Sequence, residues 1–544
     1  MAFRLQARPS FTDRSVQGMA RHGGRDPQQL EALIGRILSY THRMLPFPPV
    51  SADGDLCILF DADGGGVDRL SRLPDTLLCD IVSRLPIKDA ARTAVLSRRW
   101  SPIWRAAPLV LVDTHLLPAG DDEIPIDLDH AHSDAVAAAV SRILVAHPGP
   151  FRCVRITCCY MEEDRARVER WLKLVASKGV QELFLINRPL PLTLDKHLPA
   201  TFSAGFTLSI NTLFFSMTAL TRLYLSFWRF PDTAALPRHA DFPCLRELGL
   251  CSTVIDSGEL EFVLARSPVL EILNIEGHML PELRLRIISQ SLRCVQIHGS
   301  MVDSITIVDA RRLERLLLGF RTNQDSCCKI KITHAPALSL FGEIELGKDE
   351  LQVGNTIIKA GTMVNPSGML LAVTILDLHV RFGVRNDCKM LPTILRCFPN
   401  METLHIHSKK TTESTGRLSI KFWKESGAIK CVTSSISMLQ VHDFRGDRIE
   451  LAFLKFFIES AQMLKVLVIV YANGCFSSRD EANSKVKALF AGRRATQSCK
   501  VMVCESRYSE GGSHWHFEEG SDFSFDDPFG SIGCSSFGLS QWSV

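Results

Sequence analysis

The stretch LTRLYL, residues 220–225, sets the pattern on which the fold prediction depends. Its second and third leucines are two residues apart, so in a strand they point to the same face, and the first leucine covers the incoming turn. The same phrase, with conservative replacements, returns with its first residue at positions 180, 245, 270, 292, 313, 401 and 464. From Leu220 to Leu313 the steps are 25, 25, 22 and 21 residues, so the chain repeats one short unit.

A repeat of this length predicts a solenoid. The steps lie within the period of leucine-rich repeats, about 20–29 residues, in which stacked units bury an apolar face that no unit buries alone. Between two of the phrases, residues 257–268 predict a helix that buries Leu260, Val263 and Leu264. Spacing is irregular over residues 318–401, where a Gly-rich stretch is either a strand-rich insertion or a loop. The alternative fold is a mixed sheet of unrelated amphipathic strands.

Before the repeats, residues 73–104 carry much apolar surface in a short segment, LPDTLLCDIVSRLPIKDAARTAVLSRRWSPIW. Pro74 suits the first position of a helix, and Pro86 ends the apolar stripe that follows it. Residues 88–96 predict a second helix, and Ser97 suits the cap of a third. Three short helices make a small core, and apolar surface beyond that core marks an interface with a partner.

This segment resembles an F-box in the type and spacing of Leu73-Pro74, Leu77-Leu78, Ile81, Leu85-Pro86, Leu96-Ser97, Trp100 and Trp104. The resemblance implies a three-helix module that docks on the SKP-type adaptor of a cullin-RING ubiquitin ligase. It implies adaptor contacts, or packing beside them, at Leu73, Pro74, Leu77, Leu78, Ile81, Leu85, Pro86, Val95, Leu96 and Trp100. Pro102 is a small departure, because it removes one hydrogen bond early in the third helix. The alternative is a helical hairpin whose stripe packs on the chain's own repeats.

A second resemblance lies at residues 422–470. Phe422-Trp423, Phe444-Arg445-Gly446 and the stretch ELAFLKFF (450–457) are similar to the FBD segment that follows leucine-rich repeats in many plant F-box proteins. The residues themselves predict a strand, a tight Gly turn, a helix and a strand. Such a βαβ unit could cap the open end of the solenoid.

The predicted fold class is α/β: a small three-helix F-box module, then a leucine-rich-repeat solenoid of parallel strands with helices, capped by the FBD-like unit.

The first fifty residues hold seven Arg and no Lys, which predicts a disordered leader, with a transit peptide as the alternative. A helix capped by Ser133 follows the linker. The predicted boundaries are 1–66 leader, 67–114 F-box, 115–133 linker, 134–416 repeats, 417–475 FBD-like segment and 476–544 C-terminal extension.

Composition narrows the class of protein. A net charge of +3 over 544 residues offers no basic field for nucleic acid. No apolar run approaches the ~20 residues of a membrane span, and no apolar leader indicates secretion. The 17 cysteines are scattered, without a Cys-x-x-Cys pair, which is typical of reduced thiols. We therefore expect a nuclear or cytoplasmic protein that binds neither nucleic acid nor membrane.

Three motifs partly match the patterns of known chemical sites, but none meets the requirements of its site. GEIELGKD (342–349) has Asp349 where a phosphate loop needs Ser or Thr, and its two glutamates oppose phosphate. DADGGG (61–66) starts like a calcium loop, but Arg72 replaces the required Glu. His514 and His516, near Cys504, are typical of solvated tail residues. No catalytic residue, cofactor or metal ligand is predicted.

The sequence therefore predicts a non-catalytic substrate receptor of an SKP-cullin-F-box ubiquitin ligase. Its F-box binds the adaptor, and through it a cullin, while its repeats recruit an unknown target protein. Candidate target contacts on the concave face of the repeats, which are equally typical of ordinary solvated strand residues, are Arg222, Tyr224, Arg246, Glu247 and Glu271. The alternative is a leucine-rich-repeat interaction scaffold that acts outside any ligase.

Overall fold

The computed structural model describes most of the chain. Its described residues are 35, 38–39, 41–52, 70–118, 125, 128–188, 212–233, 236, 241–278, 283–319, 327–411, 420–490, 499–506, 515–530 and 540–543. By internal contacts the chain divides into two compact units, residues 23–280 and residues 281–544 together with 1–22.

The first unit joins three short helices to a parallel sheet. Its elements are α1 (Asp75–Ser83), α2 (Ile87–Thr93), α3 (Trp100–Ala106), β1 (Leu109–Val112), α4 (His130–Ala146), β2 (Phe151–Ile156), α5 (Arg165–Ser177), β3 (Glu182–Ile186), β4 (Arg222–Ser226), β5 (Glu247–Cys251), α6 (Ser257–Ala265) and β6 (Ile272–Glu276). Strands β1 to β6 pair in chain order and all run parallel. Strand β1 lies within the range predicted for the F-box, and α1 and α2 pack against it.

The repeat leucines form the core of this unit, as predicted. Leu183, Leu223, Leu248 and Leu273 occupy one register row across β3 to β6, and all four are buried. Helix α6 buries the three residues predicted for it, and an Asp256–Glu259 capping box begins it.

The helix after the linker is capped by Asp129 and not by the predicted Ser133. Helix α4 begins at His130, and the Asp129 side chain accepts the His132 amide hydrogen bond at 2.7 Å. Ser133 lies inside the helix, and its hydroxyl accepts a bond from the Tyr160 amide instead. Aspartate is as good a cap as serine, and here it takes the position one turn earlier.

The second unit contains two sheets. Its elements are β7 (Leu283–Ile288), β8 (Cys294–His298), β9 (Val302–Asp309), β10 (Arg315–Leu318), β11 (Lys329–Ile332), β12 (Leu340–Glu345), β13 (Glu350–Val353), β14 (Thr356–Ile358), β15 (Ile375–Val380), α7 (Arg385–Cys397), β16 (Thr403–Ser408), α8 (Ile420–Glu425), α9 (Lys430–Ser434), β17 (Met438–Phe444), α10 (Arg448–Ser460), β18 (Val466–Tyr471), α11 (Arg479–Leu489), β19 (Lys500–Glu505), α12 (Phe517–Ser521) and β20 (Ser540–Ser543). The repeat strands β8, β10, β12 and β15 to β19 pair in that order, all parallel, and β20 is antiparallel to β19.

The other sheet replaces helices with strands over residues 283–358. Its order is β14-β13-β11-β9-β7, and β7, β9, β11 and β13 are parallel. A strand covers about 3.3 Å per residue against 1.5 Å in a helix, so a short repeat can return along a strand where a helix does not fit. For the Gly-rich stretch LGKDELQVGNTIIKAGTMVNPSG (346–368), the choice between strands and a loop is thereby decided in part, because the stretch contains the strands β13 and β14.

The FBD-like range folds as its residues predicted only from residue 438 onward, because residues before it form the two short helices α8 and α9. Strand β17, a turn at Gly446 with φ of 74°, helix α10 and strand β18 follow one another. The sheet does not end there, because α11 and β19 add one further parallel strand from the predicted C-terminal extension. Among the described residues, no helix combines the length and apolarity needed to cross a membrane.

Candidate protein-docking surfaces

The helical module of residues 70–107 closes a small core of its own. Leu78 and Val82 of α1 and Trp100 and Ile103 of α3 are buried. Each Leu-Pro pair places its proline directly before a helix, with Pro74 at the cap of α1 and Pro86 at the cap of α2. The fixed proline φ and missing N–H suit such positions.

Other predicted adaptor contacts lie on the surface of this module. Leu77 is 50% exposed, Val95 84% and Leu96 66%. Pro74 is also exposed, while Leu73, Ile81, Leu85 and Pro86 are half-buried. Of the ten predicted residues, Leu78 and Trp100 are buried in the core of the module, and the other eight are half-buried or exposed at its surface. The apolar stripe is wider than the core of the module, as the sequence indicated.

The third helix does not begin as predicted, because its cap residue is Arg99 and not Ser97. It begins at Trp100, so Pro102 occupies its third position, where a backbone N–H has no partner within the helix. The expected loss of a hydrogen bond does not occur. Arg99, which sequence reasoning missed, donates to the Leu73 carbonyl at 2.6 Å and to the Asp75 carboxylate. It ties the start of α3 to the start of α1, and a lone Arg gives no sequence signal for this.

The face of each sheet opposite its repeat leucines corresponds to the predicted concave face. In the first unit its central row is Arg155, Phe184, Tyr224, Gly249 and Asn274. The Phe184 and Tyr224 rings stack with centroids 5.1 Å apart. The Tyr224 hydroxyl donates to Glu247 and accepts a bond from Asn274 Nδ2 at 3.1 Å. Tyr224 and Glu247 are buried, so neither is available to a target.

A stretch of the predicted leader covers this face. The Arg155 guanidinium donates to the Pro46 carbonyl at 2.6 Å, and Thr41 Oγ1 lies 3.1 Å from Cys251 Sγ. Burial, with Arg188 and Arg155 nearby, lowers the pKa of His42 to about 3. Thr41, Met44, Leu45 and Val50 are buried, so this part of the predicted leader is packed, contrary to the expectation of disorder, while Phe47 is largely exposed. Residues 1–34 and 53–66, which include DADGGG, lie outside the described residues.

The remaining candidate target residues form ion pairs between repeats. Arg222 Nε lies 2.7 Å from Glu247 Oε2, and Arg246 pairs with Glu271. Arg246 and Glu271 follow the first leucine of successive phrases. The second unit repeats this arrangement in the 2.7 Å pair of Arg293 and Glu314. The Arg246–Glu271 pair lies at the surface, where such pairs stabilise little, and of the five candidates only Arg246 is largely exposed.

In the second unit the C-terminal segment of residues 515–530 lies on the concave face. The Arg315 guanidinium donates to the Gly520 carbonyl at 2.9 Å and to the Asp522 carbonyl at 3.1 Å. Gln296 Nε2 donates to the Phe517 carbonyl at 3.0 Å. The range predicted as an extension thus contributes to the packed structure; His514 lies outside the described residues, and His516 precedes α12.

Beside this segment lies a buried cluster of histidines and carboxylates that sequence reasoning missed. His379, His407 and His442 are register partners on β15, β16 and β17, and adjacent rings stack at 4.6 and 4.5 Å. Asp377 Oδ2 lies 2.8 Å from His407 Nε2. Burial, with the Glu343 and Asp527 carboxylates nearby, raises the pKa of Asp377 well above its ordinary range. The alternating stretches DLH (377–379) and HIH (405–407) carried the signal.

Family comparisons agree with this arrangement. The F-box domain model matches residues 70–110, the LRR repeats of the FBD-associated F-box protein At5g56370 match residues 168–406, and the FBD model matches residues 424–469.

Whole proteins of Arabidopsis thaliana are similar over most of their length. F-box/LRR-repeat protein 13 is 23% identical over 80% of this chain and 96% of its own. FBD-associated F-box protein At4g13985 is 24% identical over 81% of this chain and 97% of its own. The chain carries an F-box, leucine-rich repeats and an FBD segment in that order, and it belongs to the plant-type F-box/LRR proteins with a C-terminal FBD segment.

Proposed function

We propose that this chain is the substrate-receptor subunit of an SKP-cullin-F-box ubiquitin ligase and that it works in the nucleus or cytoplasm. A substrate-receptor-type role in general follows from its F-box and repeats. The finer assignment rests chiefly on the helical module. Leu77, Val95 and Leu96 expose apolar side chains although the core of the module is closed without them. A partner that covers them would bury surface that the chain leaves in water.

The repeats would hold the target protein. The row containing Tyr224 is packed with the chain's own residues, so a target would bind elsewhere or displace residues 41–50. Arg246 is one exposed charge at the strand starts that remains accessible to it. No catalytic group is needed, because a receptor raises the effective concentration of target lysines near the charged conjugating enzyme.

Binding of the purified full-length chain to an SKP-type adaptor tests the proposal. The wild-type chain should bind, and a Leu77→Asp/Leu96→Asp variant should bind at least about a hundredfold more weakly, since lost apolar burial and a desolvated charge together cost about 3 kcal/mol. Both side chains are exposed, so the variant should fold. Val145→Asp is the matched control, because Val145 is an exposed aliphatic residue on α4, outside the module.

The competing function is a leucine-rich-repeat scaffold outside any ligase. A folded wild-type chain that does not bind the adaptor would favour the scaffold. Equal loss of binding in the Val145→Asp control would also contradict the proposed surface, because that loss could not come from the module.

A further inference from the structure

Four side chains on three adjacent strands of the second unit meet in one buried place: Glu343 of β12, Asp377 and His379 of β15, and His407 of β16. Strands β15 and β16 are parallel and in register, whereas the pairing of β12 with β15 shifts between Phe341 and Ile344, and Glu343 lies at that irregularity. His379 and His407 are direct register partners, and Asp377 lies two residues before His379 on the same face.

The donor atoms of Asp377, His379 and His407 all lie within 4.8 Å of one another, and Glu343 lies beside His379. His407 Nε2 lies 2.8 Å from Asp377 Oδ2, His379 Nε2 lies 4.0 Å from Asp377 Oδ1, and His379 Nε2 lies 3.3 Å from Glu343 Oε2. Four ligands around a tetrahedral zinc at about 2.0–2.2 Å are separated from one another by about 3.4 Å. The observed separations lie on both sides of that value, so small rotations of the side chains would complete the geometry.

A second observation points to a cation. Asp377 is fully buried, and its Oδ1 has no hydrogen-bond partner among the described residues. A buried carboxylate oxygen without a partner is costly, and a second carboxylate, Glu343, lies in the same cluster. A divalent ion would balance the negative charge of the carboxylates and bind the unpartnered Asp377 Oδ1.

We propose that Glu343, Asp377, His379 and His407 form a binding site for a divalent transition metal, best matched by Zn²⁺. Two imidazoles and two carboxylates suit zinc, whereas Ca²⁺ and Mg²⁺ prefer ligand sets made of oxygen alone. The His379 side chain, 11% exposed, marks the side from which the ion enters. With all four positions taken by protein, the site would be structural and would join three strands of the sheet.

The test uses the full-length chain, stripped with a chelator and titrated with Zn²⁺ by calorimetry. The wild-type chain should bind one equivalent, and Asp377→Asn and His379→Ala should each bind at least tenfold more weakly. His298→Ala is the matched control, a buried histidine on β8 outside the cluster, and it should bind as the wild type does. Ca²⁺ should not compete.

Two further readouts keep the result decisive. Co²⁺ in the wild-type chain should give the visible absorption of a four-coordinate site, which requires no variant to fold. At the same Zn²⁺ concentration, the Tm of the wild-type chain should rise by more than that of His379→Ala. The proposal is wrong if the folded wild-type chain takes up no stoichiometric Zn²⁺, if Ca²⁺ displaces Zn²⁺, or if the three variants bind alike.

Discussion

Glu276, at the end of β6, is fully buried, and burial raises the pKa of its carboxyl to about 8 although Arg43 opposes the rise. Between pH 4.5 and 8 the folded chain therefore keeps a proton that the unfolded chain releases. Folding then becomes less favourable as the pH rises through this window, and the full cost is present above pH 8.

Replacing Glu276 with Gln should remove this pH dependence. We expect the Tm of Glu276→Gln to exceed that of the wild type by an amount that grows from pH 5 to pH 8. Thermal unfolding followed by circular dichroism across that range measures it. Ile275→Val, at the neighbouring position of the same strand, changes no titratable group, so its Tm difference from the wild type should not vary with pH. A difference that is constant with pH would mean that the carboxyl is ionised in the folded chain.

Gly249 leaves room for the Tyr224 ring. A Cβ at position 249 would stand 2.2 Å from Tyr224 Cδ1, and the ring is held between Phe184 and Asn274. We expect Gly249→Ala to lower the free energy of unfolding by about 3 kcal/mol, measured by urea denaturation. Gly258→Ala, in helix α6 where the added Cβ has ordinary contacts, should be neutral or stabilising. Equal stability of the two variants would contradict the packing of Tyr224.

At the scale of the element, the Asp256–Glu259 capping box is the clearest local determinant of α6. Asp256→Ala should lower the free energy of unfolding by about 1 kcal/mol, because the Glu259 amide loses its acceptor. Chemical denaturation checks this against Glu261→Ala, an exposed acid on the same helix with an expected effect of less than about 0.5 kcal/mol. A larger effect at Glu261 would argue against the cap.

The C-terminal segment depends on Arg315. This buried guanidinium donates to carbonyls of residues 519, 520 and 522, and no alanine can replace those bonds. Arg315→Ala should make residues 515–530 accessible to proteases at least several-fold faster, while Arg311→Ala, an exposed arginine in the same repeat, should not. Mass spectrometry of early fragments locates the cut. Unchanged cleavage would show that other contacts hold the segment.

Local sequence patterns predicted the helices and strands well, but they could not predict the long-range contacts. The spacing of Leu220, Leu245 and Leu270 indicated parallel repeats, because the leucines recur at the same position of each repeat unit. Residues 283–288, LRLRII, alternate as a strand does, but only the register with β9 shows that they join a second sheet.

For the same reason, the sequence could not predict which segments of the chain cover the concave face. The bond from Arg155 to Pro46 joins residues 109 apart, and that from Arg315 to Gly520 joins residues 205 apart. A single sequence gives no signal for such pairs. The proposed adaptor-binding residues could be predicted only through resemblance to the F-box, since their spacing alone also fits a helix packed on the repeats.

At the scale of the whole molecule, each unit keeps a packed sheet whose concave face bears a segment of the same chain, residues 41–50 in the first unit and 515–530 in the second. The exposed apolar residues Leu77, Val95 and Leu96 lie instead on the helical module. This division of roles predicts that the adaptor and the target bind different parts of the chain.

Hydrogen exchange of the full-length chain with and without an SKP-type adaptor tests the central claim most directly. The proposed docking predicts slower exchange over residues 75–96, which include α1 and α2, and unchanged exchange in β3 to β6. Slower exchange confined to the repeat strands, or no change with a bound adaptor, would contradict it.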